Sequence, residues 1–306
     1  MKRVMRLAVA AAAMATMGGC ATGASDAKAS PKKLKVLMIG NSFSICVLKQ
    51  MPQCVTSAGR ELDLCSLYIG GCSLERHWQN VVAATNAEFR PYRVDWSYGG
   101  VRENPAAPVA KVVRTTADPW AKDKTQFSAN IPEMLTADKW DVVTVQQASH
   151  FSWKPATYEP FGGNLVGLIR KLAPQAEIVV QETWSYTPYD GRLKQWGITP
   201  EEMYAQIKPA YAGFAARYGF RVIPTGAAVQ DFRRAMPSAD GITGDPCGSP
   251  TGKDKFHLNR EGEYLQACTW YATLYRRPAA DISHVPDFMT AERAAQMRAS
   301  ADAVCR

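Results

Sequence analysis

Leu34-Lys35-Val36-Leu37-Met38-Ile39-Gly40-Asn41-Ser42-Phe43-Ser44 is a short apolar run that ends in glycine, with a small hydroxyl residue two positions beyond it. Leu34 to Ile39 has the length and branching of a strand buried in a parallel sheet. Gly40 permits a sharp exit, and the apolar segment from Phe43 to Gly59 predicts the first crossover helix. Ser42 then stands at the carboxyl end of a strand and the amino end of a helix. Free backbone N–H groups and the positive end of the helix dipole converge there. The position suits a nucleophile whose reaction builds negative charge. Taken alone, however, the stretch favours a plain helix cap by Asn41 and Ser42, a common use of these residue types, and residues far downstream shift the balance.

The rest of the chain repeats the pattern. Glu61 to Ile69 predicts a second strand, ending in Gly70-Gly71-Cys72-Ser73 before a helix over Leu74 to Ala84. Phe89 to Thr116 is aromatic and irregular and reads as an inserted hairpin or excursion, followed by a short helix over Ile131 to Leu135. A third strand, Asp141 to Val145, runs into Gln146-Gln147-Ala148-Ser149-His150, and a helix follows over Tyr158 to Leu172. Glu177 to Val180 and Phe220 to Ile223 supply the fourth and fifth strands, with a helix from Pro200 to Tyr218 between them. Helices over Ala227 to Met236, Arg260 to Tyr275 and Thr290 to Ala303 complete the chain, the first two separated by a Gly/Pro/Asp-rich loop. Strand and helix alternate with crossovers of the right length for an α/β fold whose parallel sheet is covered on both faces. No repeat or linker divides residues 34–306, which are expected to form one domain.

The ends and the composition narrow the class. The chain has 306 residues, 46% of them hydrophobic and 21% charged, ordinary values for a globular protein. Lys2, Arg3 and Arg6 precede an apolar stretch from Leu7 to Met17, and Gly18-Gly19-Cys20 follows. That is the layout of a secretory signal. Met17-Gly18-Gly19-Cys20 resembles a bacterial lipobox, so residues 1–19 are expected to be removed and Cys20 to carry lipid. Ala21 after the cysteine points to outer-membrane sorting, with residues 20–33 as a polar tether. Removing residues 1–19 lowers the net charge from +8 to +5. The excess is spread out, and no nucleic-acid footprint is expected. With Cys20 acylated, Cys46, Cys54, Cys65, Cys72, Cys247, Cys268 and Cys305 remain, so at least one is left without an intrachain partner. Buried thiols and disulfides stay equally open, as does the oligomeric state.

Ligands of an open α/β sheet collect at the carboxyl ends of its strands. A serine becomes nucleophilic when a base within hydrogen-bond reach takes its proton. Asp254 and His257, three residues apart near the end of the chain, can supply a base and its orienter from one turn. An oxyanion site can come from the Ser42 N–H, the Gly71 N–H and a Gln side-chain amide. Asp240 and Asp245 are rival orienters, but neither lies on the turn of His257. The four histidines and the absence of a His-Glu-x-x-His pattern give no basis for a catalytic metal. No cofactor is expected.

Gly40-Asn41-Ser42-Phe43-Ser44, Gly71 and Asp254-x-x-His257 together resemble the SGNH/GDSL hydrolases in order and spacing. Within that superfamily, Gly70-Gly71-Cys72-Ser73-Leu74-Glu75-Arg76-His77-Trp78, Val145-Gln146-Gln147-Ala148-Ser149 and His257-Leu258-Asn259 with Gly262-x-Tyr264-Leu265 are similar to a bacterial branch known only as a domain of unknown function. The resemblance implies a flavodoxin-like three-layer α/β/α sandwich around a central five-stranded parallel sheet. It implies a serine esterase with Ser42 as nucleophile, His257 as base, Asp254 as its orienter and Gly71 as an oxyanion donor.

Two positions depart from the pattern. Asn41 replaces the usual aspartate, and Ala148 falls where the third-block asparagine is expected. Gln146 or Gln147 can stand in as the oxyanion donor, with Gln146 the first choice. Asn41, His150 and Trp184 are candidate substrate contacts, Trp153, Tyr186 and Tyr189 are further loop aromatics, His77 reads as structural and His284 as exposed. The expected substrate is an ester, with acetyl groups on carbohydrate foremost. Alternatives are a non-catalytic glycan-binding lipoprotein and an O-acyltransferase that uses the same triad.

Overall fold

The computed structural model describes residues 30–85, 89–98, 101–102, 113–115, 126–237, 244–248 and 254–305. The expected signal 1–19, the acylation site Cys20, the tether up to residue 29 and Asp240 lie outside the described residues. Lys33, expected as the last tether residue, is already the first residue of a strand.

Among the described residues nine strands form one sheet. They are β1 (Lys33–Gly40), β2 (Glu61–Tyr68), β3 (Tyr92–Tyr98), β4 (Val101–Arg102), β5 (Val113–Thr115), β6 (Gln126–Ala129), β7 (Val142–Val145), β8 (Glu177–Gln181) and β9 (Arg221–Ile223). The order is β5-β6-β3-β2-β1-β7-β8-β9, with β4 paired to β3. The stretch β2-β1-β7-β8-β9 is parallel throughout, which is the flavodoxin-like order. Val36 to Ile39 and all of β7 are buried, as continuous apolar strands covered on both faces must be. The chain leaves β1 for β2 on one side and returns to β7 on the other. The crevice above the carboxyl ends of β1 and β7 is therefore the topological switch point.

The aromatic excursion joins the sheet instead of standing apart from it. β3 runs antiparallel to β2, β6 to β3 and β5 to β6. The expected five parallel strands are thus extended on the β2 edge, whose backbone groups would otherwise be unpaired. Along β3 the alternation is clean: Tyr92, Val94 and Trp96 are buried, while Arg93 and Asp95 are half-buried.

Ten helices flank the described sheet: α1 (Ser42–Ile45), α2 (Met51–Ser57), α3 (Leu74–Ala83), α4 (Ile131–Leu135), α5 (Phe161–Leu172), α6 (Gly191–Trp196), α7 (Pro200–Tyr218), α8 (Thr225–Ala235), α9 (Arg260–Tyr275) and α10 (Ala291–Val304). One group joins α2, α8, α9 and α10, and α3 and α4 pack on α5 in another. At Gly162, α5 closes on α7: a Cβ there would lie 2.7 Å from the Phe214 ring. The first crossover is not the single helix expected from Phe43 to Gly59. It breaks into α1, a 3-10 turn over Cys46–Lys49, and α2. Pro52 accounts for the break, because a proline ring inside a continuous helix clashes with the carbonyl four residues back.

The exit of β8 ties two helices to the sheet. Glu182 Oε1 accepts from Tyr204 Oη of α7 at 3.1 Å and from the Ala227 N–H of α8 at 2.8 Å. Burial pushes this carboxyl up to about 7, against those two bonds, which favour the charged form. The folded state holds the proton more tightly than the unfolded chain, whose carboxyl titrates near 4.5. Glu182 therefore costs no stability below pH 4.5 and a growing amount as pH rises to 7, on the order of 3 kcal/mol in all. Glu182→Gln is expected to flatten this part of the pH–stability curve. Urea denaturation between pH 4.5 and 8 is the measurement, and an unchanged slope would contradict the assignment.

Candidate active site

Asn41 is the N-cap of α1. Its Oδ1 accepts from the Phe43 N–H at 3.0 Å, while the Ser44 hydroxyl returns to its backbone. The same carboxamide reaches two neighbouring strand exits. Nδ2 donates to the Cys72 carbonyl beyond β2 at 2.9 Å, and Oδ1 accepts from Gln146 Nε2 beyond β7 at 2.6 Å. One buried side chain thus holds the ends of β1, β2 and β7 together. Ser42 follows as the first residue of α1. The helix is pinned from behind as well, because the Phe43 carbonyl accepts from Gln181 Nε2 and Gln266 Nε2, both at 2.8 Å.

The opposing wall is the segment that leads into α9. Asp254 Oδ1 accepts from the backbone N–H groups of Phe256 and His257 at 3.1 and 3.0 Å. Its Oδ2 lies 2.7 Å from His257 Nδ1, and His257 Nε2 lies 2.8 Å from Ser42 Oγ. These distances assign the Nδ1–H to Asp254 and leave Nε2 to accept from the serine. Partial burial works to raise the Asp254 pKa, but the two backbone donors and the imidazole outweigh it and hold it below the usual carboxylate value.

The segment has few internal bonds and is fixed by its neighbours. The Gly248 N–H donates to the His257 carbonyl at 2.7 Å, Cys247 bridges to Leu258, and Asn259 Nδ2 donates to the Asp245 carbonyl. Asp245, the rival orienter, is instead paired with Arg233 at 2.8 Å. Trp184 Nε1 donates to the Phe256 carbonyl, and Thr187 donates from its N–H and its hydroxyl to the Lys255 carbonyl. Beneath the imidazole, Phe43 stacks on Trp184 with ring centroids 4.2 Å apart and meets His257 at 5.5 Å.

The structure brings Ser42, His257 and Asp254 together as the spacing suggested, and places Gly71 in the same pocket of about 330 Å³. Gly71 has φ +61, a conformation that favours glycine. Among the described residues neither the Ser42 N–H nor the Gly71 N–H has an acceptor.

Other sequence candidates do different work. Gln146 and Gln147 do not line the pocket. Gln146 spends Nε2 on Asn41. Gln147 donates to Thr157 and accepts from the N–H groups of Leu74 and Ala148, so it fastens α3 and its own loop. Trp184 is fully buried below the site and is no substrate contact. Asn41 borders the pocket, but its polar atoms are committed to Phe43, Cys72 and Gln146. His150 does line the pocket, and burial followed by the charges of Arg192 and Lys154 lowers its pKa. His77 is fully buried against Tyr92 and Cys72, which agrees with a structural reading. His284 is half-buried, where exposure was expected. Sequence reasoning missed Tyr68, Phe256 and Arg192 as pocket residues. No motif marks them, and adjacency to His257 was the one available sign, for Phe256.

The tie at Asn41 needs a group that both donates and accepts. An aspartate could only accept, which would leave a carboxylate against the Cys72 carbonyl in a buried place. Asn41→Asp is expected to lower the unfolding free energy at pH 8 by about 3 kcal/mol. Part of the loss should be recovered under mildly acidic conditions, where the protonated carboxyl donates again. Chemical denaturation at the two pH values tests this, and wild-type stability at pH 8 would exclude the tie as a structural element.

The sequence matches a family model described as a domain of unknown function, DUF4886, over residues 35–304. A crystal structure of a DUF4886 family protein from Bacteroides uniformis is 27% identical, aligns over 89% of this chain and 94% of that one, and gives a TM-score of 0.71. More distant likenesses are a candidate SGNH hydrolase from Slackia heliotrinireducens (20% identity, 79% of this chain, 99% of that one, TM-score 0.49) and a candidate GDSL-like lipase from Parabacteroides merdae (10% identity, 81% and 100%, TM-score 0.49). A search of curated proteins finds no match. With the family model spanning nearly its whole length beyond the amino-terminal region, the chain belongs to the DUF4886 family.

Proposed function

We propose that the protein is an exported serine esterase that removes acetyl groups from carbohydrate through Ser42, His257 and Asp254. The observation that carries the reading is the unbroken line of hydrogen-bond contacts from Asp254 Oδ2 through the imidazole to Ser42 Oγ, 2.7 and 2.8 Å long.

In this reading Ser42 Oγ attacks the ester carbonyl carbon while His257 Nε2 takes its proton. Asp254, held ionised by its donors, stabilises the imidazolium. The carbonyl oxygen becomes an oxyanion and meets the N–H groups of Ser42 and Gly71. Losing one such donor typically costs about 3 kcal/mol of transition-state stability. The tetrahedral adduct collapses, the C–O bond to the alcohol breaks, and His257 returns the proton to the departing oxygen. Water then attacks the acyl-serine by the same route and releases acetate. In this reading the two backbone donors take the place of the missing third-block asparagine, since Gln146 and Gln147 are engaged elsewhere. Asn41 likewise has a role that a neutral amide performs better than an aspartate.

A fluorophosphonate probe is expected to label the peptide that contains Ser42, with no label on Ser42→Ala. The same substitution should lower hydrolysis of 4-nitrophenyl acetate by about 10³-fold or more. Equal rates, or labelling of another residue in folded protein, would reject the esterase. Binding of acetylated glycans without turnover would favour the glycan-binding alternative, and acetyl groups recovered on an added acceptor sugar would favour transfer over hydrolysis.

The proposed location is the outer membrane, with residues 1–19 removed, lipid on Cys20 and one domain beyond the tether. Full-length protein expressed with its leader should partition into the detergent phase of Triton X-114. Cys20→Ala should shift it to the aqueous phase; unchanged partitioning would refute acylation at that residue.

A further inference from the structure

We propose that Arg192 is a specificity-determining residue that binds two neighbouring oxygen atoms of a neutral sugar carrying the scissile ester. The inference rests on the esterase reading above and deepens it.

Arg192 lies on α6 and lines the catalytic pocket together with Tyr68, His150 and Phe256. Its guanidinium is fixed before any ligand arrives. Nε donates to Asp190 Oδ1 at 2.8 Å and one Nη donates to Asp190 Oδ2 at 2.6 Å. Asp190 is itself buried and caps α6. The guanidinium carbon sits 4.2 Å from the Tyr186 ring centroid and 4.0 Å from that of Phe256. Two rings and a carboxylate thus fix the plane and heading of the group, which lowers the entropy lost when it binds a partner. The second Nη has no acceptor among the described residues. Nothing in the proposed reaction uses these donors, yet they belong to a residue of the reaction pocket.

The occupant follows from the charge balance. The positive charge of Arg192 is already matched by Asp190, and Asp254 lies close enough to act on it as well. A substrate carboxylate would place a further anion on a neutralised pair. Hydroxyl or ring oxygens accept hydrogen bonds without that cost, and the pair of N–H groups left at the end of the guanidinium, one on each Nη, runs parallel and matches two oxygens on adjacent ring carbons. Tyr68 lines the same pocket, and about 330 Å³ accommodates one sugar ring with its acetyl group.

The test compares methyl xyloside monoacetate, the acetylated methyl glycoside of a uronic acid, and 4-nitrophenyl acetate, which has no hydroxyl group. The readout is the ratio of kcat/KM for each sugar ester to that for the nitrophenyl ester. Arg192→Met should lower the xyloside ratio about 10- to 100-fold, the worth of one or two hydrogen bonds at roughly tenfold each. Arg192→Lys should not restore it, because an ammonium lacks the planar fork. Since Arg192→Met leaves Asp190 unpaired, Asp190→Asn/Arg192→Met serves as the folded control and should give the same loss. A ratio within twofold of wild type in both variants overturns the proposal, as does a larger Arg192 dependence for the uronate ester. If the wild type turns over no ester, the esterase reading fails on its own. Calorimetric binding of the xyloside monoacetate to Ser42→Ala then decides: binding abolished by adding Arg192→Met upholds the inference, and equal or absent binding overturns it.

Discussion

The carboxamide of Asn41 is the constraint from which the site is built. Parallel strands end in loops that point the same way, but nothing in the sheet itself fixes how those loops sit relative to one another. Asn41 joins the exits of β1, β2 and β7 by donating to the Cys72 carbonyl and accepting from Gln146 and from Phe43. It is buried, so its bonds are not exchanged for water, and an unmade one would cost most of a desolvated polar group. The placing of Ser42 relative to the turn after β2 that carries Gly71 therefore depends on a buried side chain as well as on the sheet.

The histidine wall is positioned by a different device. The segment around Asp254 has little regular structure, and its place is fixed by outside contacts. These are the Arg233–Asp245 pair, the Cys247–Leu258 bridge and the Trp184 indole on the Phe256 carbonyl. Phe43 connects the two walls. Its ring packs between Trp184 and His257, and its carbonyl is held by Gln181 of β8 and Gln266 of α9. The residue next to Ser42 thus anchors the one-turn helix that carries it and supports the imidazole that faces it. Buried aromatic packing of this kind limits rotamer freedom and keeps the His257 ring within hydrogen-bond reach of Ser42.

Tyr186 and Phe256 extend the same aromatic surface to Arg192, so the pocket wall is continuous with the support beneath the imidazole. Arg192 and His257 thus rest on one packed aromatic surface, which allows a six-residue helix such as α6 to hold a side chain accurately.

The alternation of apolar strands with helices made the α/β class legible, because a parallel sheet covered on both faces writes uninterrupted runs such as Val36 to Ile39 into the chain. Gly40-Asn41-Ser42, Gly71 and Asp254-x-x-His257 were legible too, since each is a local motif with a chemical use at a strand or helix end. The partners of long polar side chains were not. Gln146 and Gln147 are neighbours of one residue type, and which atoms their amides meet depends on where Asn41, Leu74 and Thr157 come to lie. Trp184 reads as a loop aromatic in reach of substrate but is fully buried, and Arg192, which no motif marks, lines the pocket. Spacing along a chain encodes the period of an element and the chemistry at its end. The direction of a side chain in a loop depends on contacts with residues far away in sequence, and only packing the whole molecule specifies those.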